Sequence, residues 1–167
     1  MTPPKAIATA DTPAPAGWIT WFLIGALVAG TLDILYALAF SYFRSGVAPS
    51  RVLQFVASGA LGPAAFQGGS LTAAAGLGFH YLIAFVFTAI FFAAAASQPW
   101  LRQRSLLYGA VYGLAVYGAM NYVVIPLSQI GPRPAGAAIV VVTGILVHMV
   151  FIGWPIALSA RRAFTNP

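Results

Sequence analysis

Four long apolar stretches, at about residues 18–43, 71–96, 106–127 and 139–160, constrain this chain more than any other feature. Each suits a bilayer crossing, which takes about 20 mostly apolar residues at about 1.5 Å of rise apiece. Only 6% of the residues are charged and 60% are hydrophobic. A soluble domain carries about 25% charged residues, because its surface must face water; most of this surface must face lipid. In lipid the backbone satisfies itself as helix. The fold class is therefore all-α, a polytopic membrane protein with four transmembrane helices in one bundle. That membrane domain spans residues 18–162. Residues 1–17, with Pro3, Pro4, Pro13, Pro15 and Lys5, read as a disordered cytoplasmic tail. The apolar run that follows exceeds the ~7–15 residues of a signal-peptide core, so a cleaved leader is disfavoured.

Between the first and second spans the pattern changes. Arg44, Ser45, Gly46 and Pro49 make a connection, and the apolar segment over 53–69 is broken by Gly59, Gly62 and Pro63. Arg51, Gln54 and Ser58 fall on one helical stripe. A short interfacial or re-entrant helix fits better than a fifth span.

The net charge of +6 comes from bases that sit in tails or beside apolar runs, with no basic patch interleaved with aromatics. They suit lipid headgroups, and no nucleic-acid partner is implied. The absence of cysteine excludes disulfides and thiolate chemistry. Trp18, Trp21, Tyr42 and Phe43 mark the two interfaces of the first span.

Each span carries one polar side chain that is expensive in lipid: Asp33, His80, Asn121 and His148. An ionisable group at a helix centre costs roughly 2.5–3.5 kcal/mol on insertion scales, so such groups turn inward and find partners. Helical rise sets all four roughly 9–15 Å below the same end of the bundle. Small residues accompany them. Ala26 and Gly30 form one small-xxx-small pair, Gly109 and Gly113 a GxxxG, and Gly144 lies one turn from His148. Gly30, Gly109, Gly113 and Gly144 are the expected helix-packing positions.

The first functional reading is a structural or accessory bundle in which these polar residues are interhelical glue, hydrogen-bonded to one another. Its lipid-facing surface is open to a homo-oligomer or to a membrane-complex partner. The second is a small transporter or proton-linked channel using Asp33, His80 and His148, since a carboxylate and two imidazoles in one layer can exchange protons. The third is a bis-histidine haem b protein using His80 and His148, which would make haem the one cofactor; otherwise none is expected. A two-histidine metal site lacks further ligands. No enzyme activity is expected. There is no GxSxG, no P-loop, no His–Glu pair on a helix, and one carboxylate within the spans.

Residues 76–162 contain GFHYLIAFVFTAIFFAA, a loop ending in Arg, GAVYGLAVYGAMNYVVIPL, a Pro-rich turn and ILVHMVFIGWPIALSARR. This order resembles the YagU-like proteins of the bacterial inner membrane. The resemblance implies that location and a helical-bundle topology, and no activity. His80 and His148 match the family pattern; Asn121 stands where the family has a histidine, which weakens a three-histidine site.

Four spans place both tails on one side. That side holds Lys5, Arg102, Arg104, Arg161 and Arg162, five bases, against three on the other, Arg44, Arg51 and Arg133. The positive-inside rule makes the tail side cytoplasmic. Reporter fusions at both termini should accordingly read cytoplasmic; a periplasmic C-terminus would overturn the four-span topology.

Overall fold

A computed structural model describes residues 17–134 and 136–165. The tail expected over residues 1–17 therefore lies outside the described residues, except for Gly17. Among the described residues every regular element is helical: α1 (Trp18–Ser45), α2 (Pro49–Leu61), α3 (Gly69–Ser97), α4 (Pro99–Gln103), α5 (Ser105–Leu127) and α6 (Ala138–Thr165). Of these, α1, α3, α5 and α6 are long and apolar enough to cross a membrane, with mean hydropathies of 1.5 to 2.2. They form one bundle whose flanks expose large apolar side chains such as Leu35, Leu82, Val111 and Leu146, as contact with lipid demands.

The two ends of the bundle are built differently. At the end nearest the tails, α6 packs against α1, α3 and α5 through short side chains. Ala29, Ala95, Ile156, Ala157, Ala160 and Ala163 are buried there with Phe91 and Phe92. Gly25 lies so close to Ser159 that a β-carbon at residue 25 would collide with the Ser159 hydroxyl. This end is closed. Arg102 fastens it from outside, donating to the Phe164 carbonyl at 3.2 Å, while Arg162 lies over Trp21. The helix runs past Arg161 and Arg162 to Thr165, because charge ends the membrane crossing but not the helical hydrogen bonding.

At the opposite end, α2 lies across α3 and α1. Gly46, in the left-handed region at φ 65°, ends α1 by donating to Ser41 and Tyr42 carbonyls, and Pro49 starts α2. A turn of 3₁₀ helix over Gly62–Gln67 leads into α3. The polar stripe of α2 clamps the turn, with Gln54 and Ser58 turned inward and Arg51 left exposed against the Phe66 ring. Arg51 donates to the Phe66 carbonyl at 2.9 Å, Gln54 donates to that of Gly69 at 3.0 Å, and both Gln54 and Ser58 are buried. The other end of α2 is tied to the loop between α5 and α6. Gln129 donates its backbone N–H to the Gly59 carbonyl at 2.9 Å and its side-chain amide to that of Ala60 at 2.8 Å.

The spans α5 and α6 meet backbone to backbone. A β-carbon on Gly109 would meet the Gly153 carbonyl at 2.7 Å, and one on Gly113 would collide with the main chain of His148. Backbone cannot yield as a flexible side chain can. Gly113→Ala should therefore lower stability by about 1–3 kcal/mol, the usual range for overpacking. Gly118 on the same helix opens onto free space. Gly118→Ala should be neutral, or stabilising by up to about 1 kcal/mol from helix propensity. Melting curves of both variants in detergent test this, and equal melting would show that α5 and α6 are not in backbone contact.

Candidate functional site

Asp33 on α1, His80 on α3, Asn121 on α5 and His148 on α6 all line one cavity of about 400 Å³. Its wall toward the closed end is apolar, from Val116, Ile152 and Ile156, and α2 adds Val52, Phe55 and Val56 from across the other end. Asp33, His80 and His148 are half-buried. Asn121 is exposed, which sets it at the edge of the chamber rather than in its depth.

None of the four hydrogen-bonds another. His80 Nε2 lies 2.8 Å from the Gly30 carbonyl on α1. A carbonyl only accepts, so this nitrogen carries the hydrogen and Nδ1 keeps its lone pair. Gly30 also receives the Tyr81 ring, which a β-carbon there would meet at 2.9 Å. Its lack of a side chain lets α3 approach closely enough for the histidine to reach. His148 donates Nδ1–H to the Gly144 carbonyl one turn back, at 2.9 Å, and its Nε2 is left as an acceptor. Gly144 makes room for the Tyr117 ring, which meets the His148 ring edge-on at 5.3 Å between centroids. Asn121 donates to the Tyr117 carbonyl of its own helix at 2.9 Å and keeps its amide oxygen free. Asp33 has no hydrogen-bond or ion-pair partner among the described residues. One turn on, Tyr36 also lines the chamber, with its hydroxyl buried and without a partner among the described residues.

Two local distortions set the position of Asn121 and His148. Residues Met120–Val124 of α5 and His148–Gly153 of α6 form π-helical turns. Each contains the residue four before a proline: Tyr122 before Pro126, and Phe151 before Pro155. Proline has no N–H to donate, and its ring clashes with the carbonyl four residues earlier, so the helix widens to relieve the contact. Such turns concentrate at functional sites. Composition and span length did not point to them, but Pro126 and Pro155 inside apolar runs were a usable signal. Tyr36, Tyr117 and the α2 residues were also missed as chamber walls. Tyr36 sits on the Asp33 face of its helix, so it could have been found by spacing; α2 could not.

Among the described residues no three His, Asp or Glu side chains are grouped as metal ligands. For haem, His148 offers a free Nε2 with Nδ1–H bonded to a carbonyl, the arrangement that metal-bound imidazoles favour. His80 has the reverse, with Nε2 committed to Gly30. No family model matches the chain, and comparison with curated proteins and with solved structures returns no match.

An inward carboxylate with no partner costs insertion free energy without returning a hydrogen bond. Asp33→Leu should then leave melting in detergent unchanged or raise it, whereas His80→Ala, which removes a bond between helices, should cost about 0.5–1.5 kcal/mol. A marked loss of stability in Asp33→Leu would mean that the carboxylate has a buried partner after all.

Proposed function

We propose that the protein binds a small solute inside the bilayer and supports proton-linked passage, with Asp33, His80 and His148 as the working groups and Asn121 at the edge of the site. One observation carries this reading over an accessory bundle. Asp33, His80, Asn121 and His148, one from each span, share a cavity instead of satisfying each other. Glue residues pair across helices. Here Asn121 and His148 donate to carbonyls of their own helices, His80 alone bonds to a neighbouring helix, and Asp33 bonds to none among the described residues. A carboxylate and two imidazoles that each keep a free ring nitrogen around one chamber suit proton exchange. The role is binding and passage without covalent catalysis and without a bound cofactor. The bacterial inner membrane, with both termini cytoplasmic, is the proposed location. It rests on the five-to-three distribution of bases and on the resemblance of residues 76–162 to YagU-like proteins.

Purified protein in vesicles loaded with a pH-sensitive dye tests the reading. Under an imposed potential the parent should acidify the lumen faster than protein-free vesicles do. Asp33→Asn keeps the shape of the side chain, so it should insert and melt like the parent yet lose at least tenfold in rate. Passage independent of Asp33, or none above the empty vesicles, would refute it.

A further inference from the structure

The volume, walls and charge of the chamber together select a class of ligand. A proton relay needs little more than a file of waters, each taking about 30 Å³. The cavity here is about 400 Å³, at the lower end of the roughly 300–1,000 Å³ of small-molecule pockets. Its walls are largely apolar and aromatic, with Tyr36, Phe87 and Tyr117 among them. Among the described residues no Lys or Arg lines it, and Asp33 is its one carboxylate. The nearest bases by sequence lie against rings of the wall without lining the space themselves. Arg133 lies over the Phe55 ring at 4.8 Å and Arg44 over Phe40 at 6.0 Å, and neither guanidinium belongs to the cavity wall.

The polar inventory leans the same way. His80 and His148 have each spent a ring N–H on a carbonyl, so as neutral imidazoles they offer the chamber an acceptor nitrogen apiece. Asn121 has spent an amide hydrogen and keeps its oxygen. With the Asp33 carboxylate, four of the lining side chains keep free acceptors, against the Tyr117 hydroxyl and the remaining Asn121 hydrogen as donors. An anion would meet the Asp33 charge with no base to offset it. A neutral apolar molecule would leave the carboxylate desolvated and unpaired. A compact organic cation satisfies both the charge and the aromatic faces, which attract cations through their quadrupoles.

We infer that the chamber takes a small hydrophobic organic cation, a substituted amine or quaternary ammonium of about the size of a single aromatic ring with its ammonium group, seated with its charge at Asp33. This rests on the reading of the cavity as a solute site, and it adds the ligand class.

Isothermal titration of the full-length protein in non-ionic detergent tests it with three probes of similar size: benzyltrimethylammonium, benzyl alcohol and phenylacetate. The cation should bind one to one, and the alcohol and the acid at least tenfold more weakly. Asp33→Asn should weaken the cation at least tenfold while melting like the parent. Tyr36→Leu should weaken it several-fold, and Tyr36→Phe, which keeps the ring, should retain it. Equal binding of cation and alcohol, binding unaffected by Asp33→Asn, or a preference for phenylacetate would each overturn the assignment. If Asp33-dependent proton passage persisted beside any of those results, the ligand class alone would fall. Absence of both cation binding and passage in the parent protein would remove the cavity as a solute site altogether.

Discussion

Where α5 meets α6 the main chains touch, and the placing of His148 in the chamber depends on that contact. Lipid tails are as apolar as leucine, so helices in a bilayer gain little from hiding hydrocarbon from one another. Close packing must hold them instead, and Gly109, Gly113 and Gly153 allow it by presenting bare backbone. Gly113 bears directly on the main chain of His148, at the residue where the π-helical turn of α6 begins. The start of the distortion is pinned on one side by a neighbouring helix and on the other by Pro155. The imidazole is thereby aimed by the backbone, with the Gly144 carbonyl and the Tyr117 ring fixing its rotation.

Energetically the polar layer works against the fold. An uncompensated ionisable group in a span costs about 2.5–3.5 kcal/mol, while an intramolecular hydrogen bond returns about 0.5–1.5 kcal/mol. The single hydrogen bond from His80 to Gly30 is too small to offset Asp33. Stability must come from elsewhere, chiefly the closed end with its alanines, Phe91, Phe92 and Ile156. The α2 clamps add to it at the other end. The architecture thus separates two tasks, with cohesion near the tails and a tolerated void beneath α2.

Much of the fold was legible because bilayer physics leaves few choices. Spans read at 18–43, 71–96, 106–127 and 139–160 appear as helices at Trp18–Ser45, Gly69–Ser97, Ser105–Leu127 and Ala138–Thr165. The differences are at the ends, where headgroup chemistry stops a hydropathy pattern without stopping a helix. The similar depth of Asp33, His80, Asn121 and His148 followed from helical rise alone. Their surroundings did not. Whether such residues pair or stand apart depends on side-chain reach across helices, and Gly30 decides this for His80 by letting α3 approach. The contribution of α2 to the chamber depends on how Arg51 and Gln54 fold the connection back onto Phe66 and Gly69. Neither partner carbonyl announces itself in a sequence, because every residue has one.

The closed end has a mechanical side. Ala26, Ala29, Ala95, Ala157 and Ala160 have no side-chain torsions, so burying them forfeits no rotamer entropy. Interlocked leucines resist sliding, since each must leave one well and enter another. A contact made mainly of methyl groups, with Phe91, Phe92 and Ile156 as its few large members, has fewer such teeth. Helices meeting over it can shift along their axes by small amounts with little repacking, the kind of motion by which packed helices shear. The seal below the chamber is therefore firm against separation and comparatively smooth against displacement.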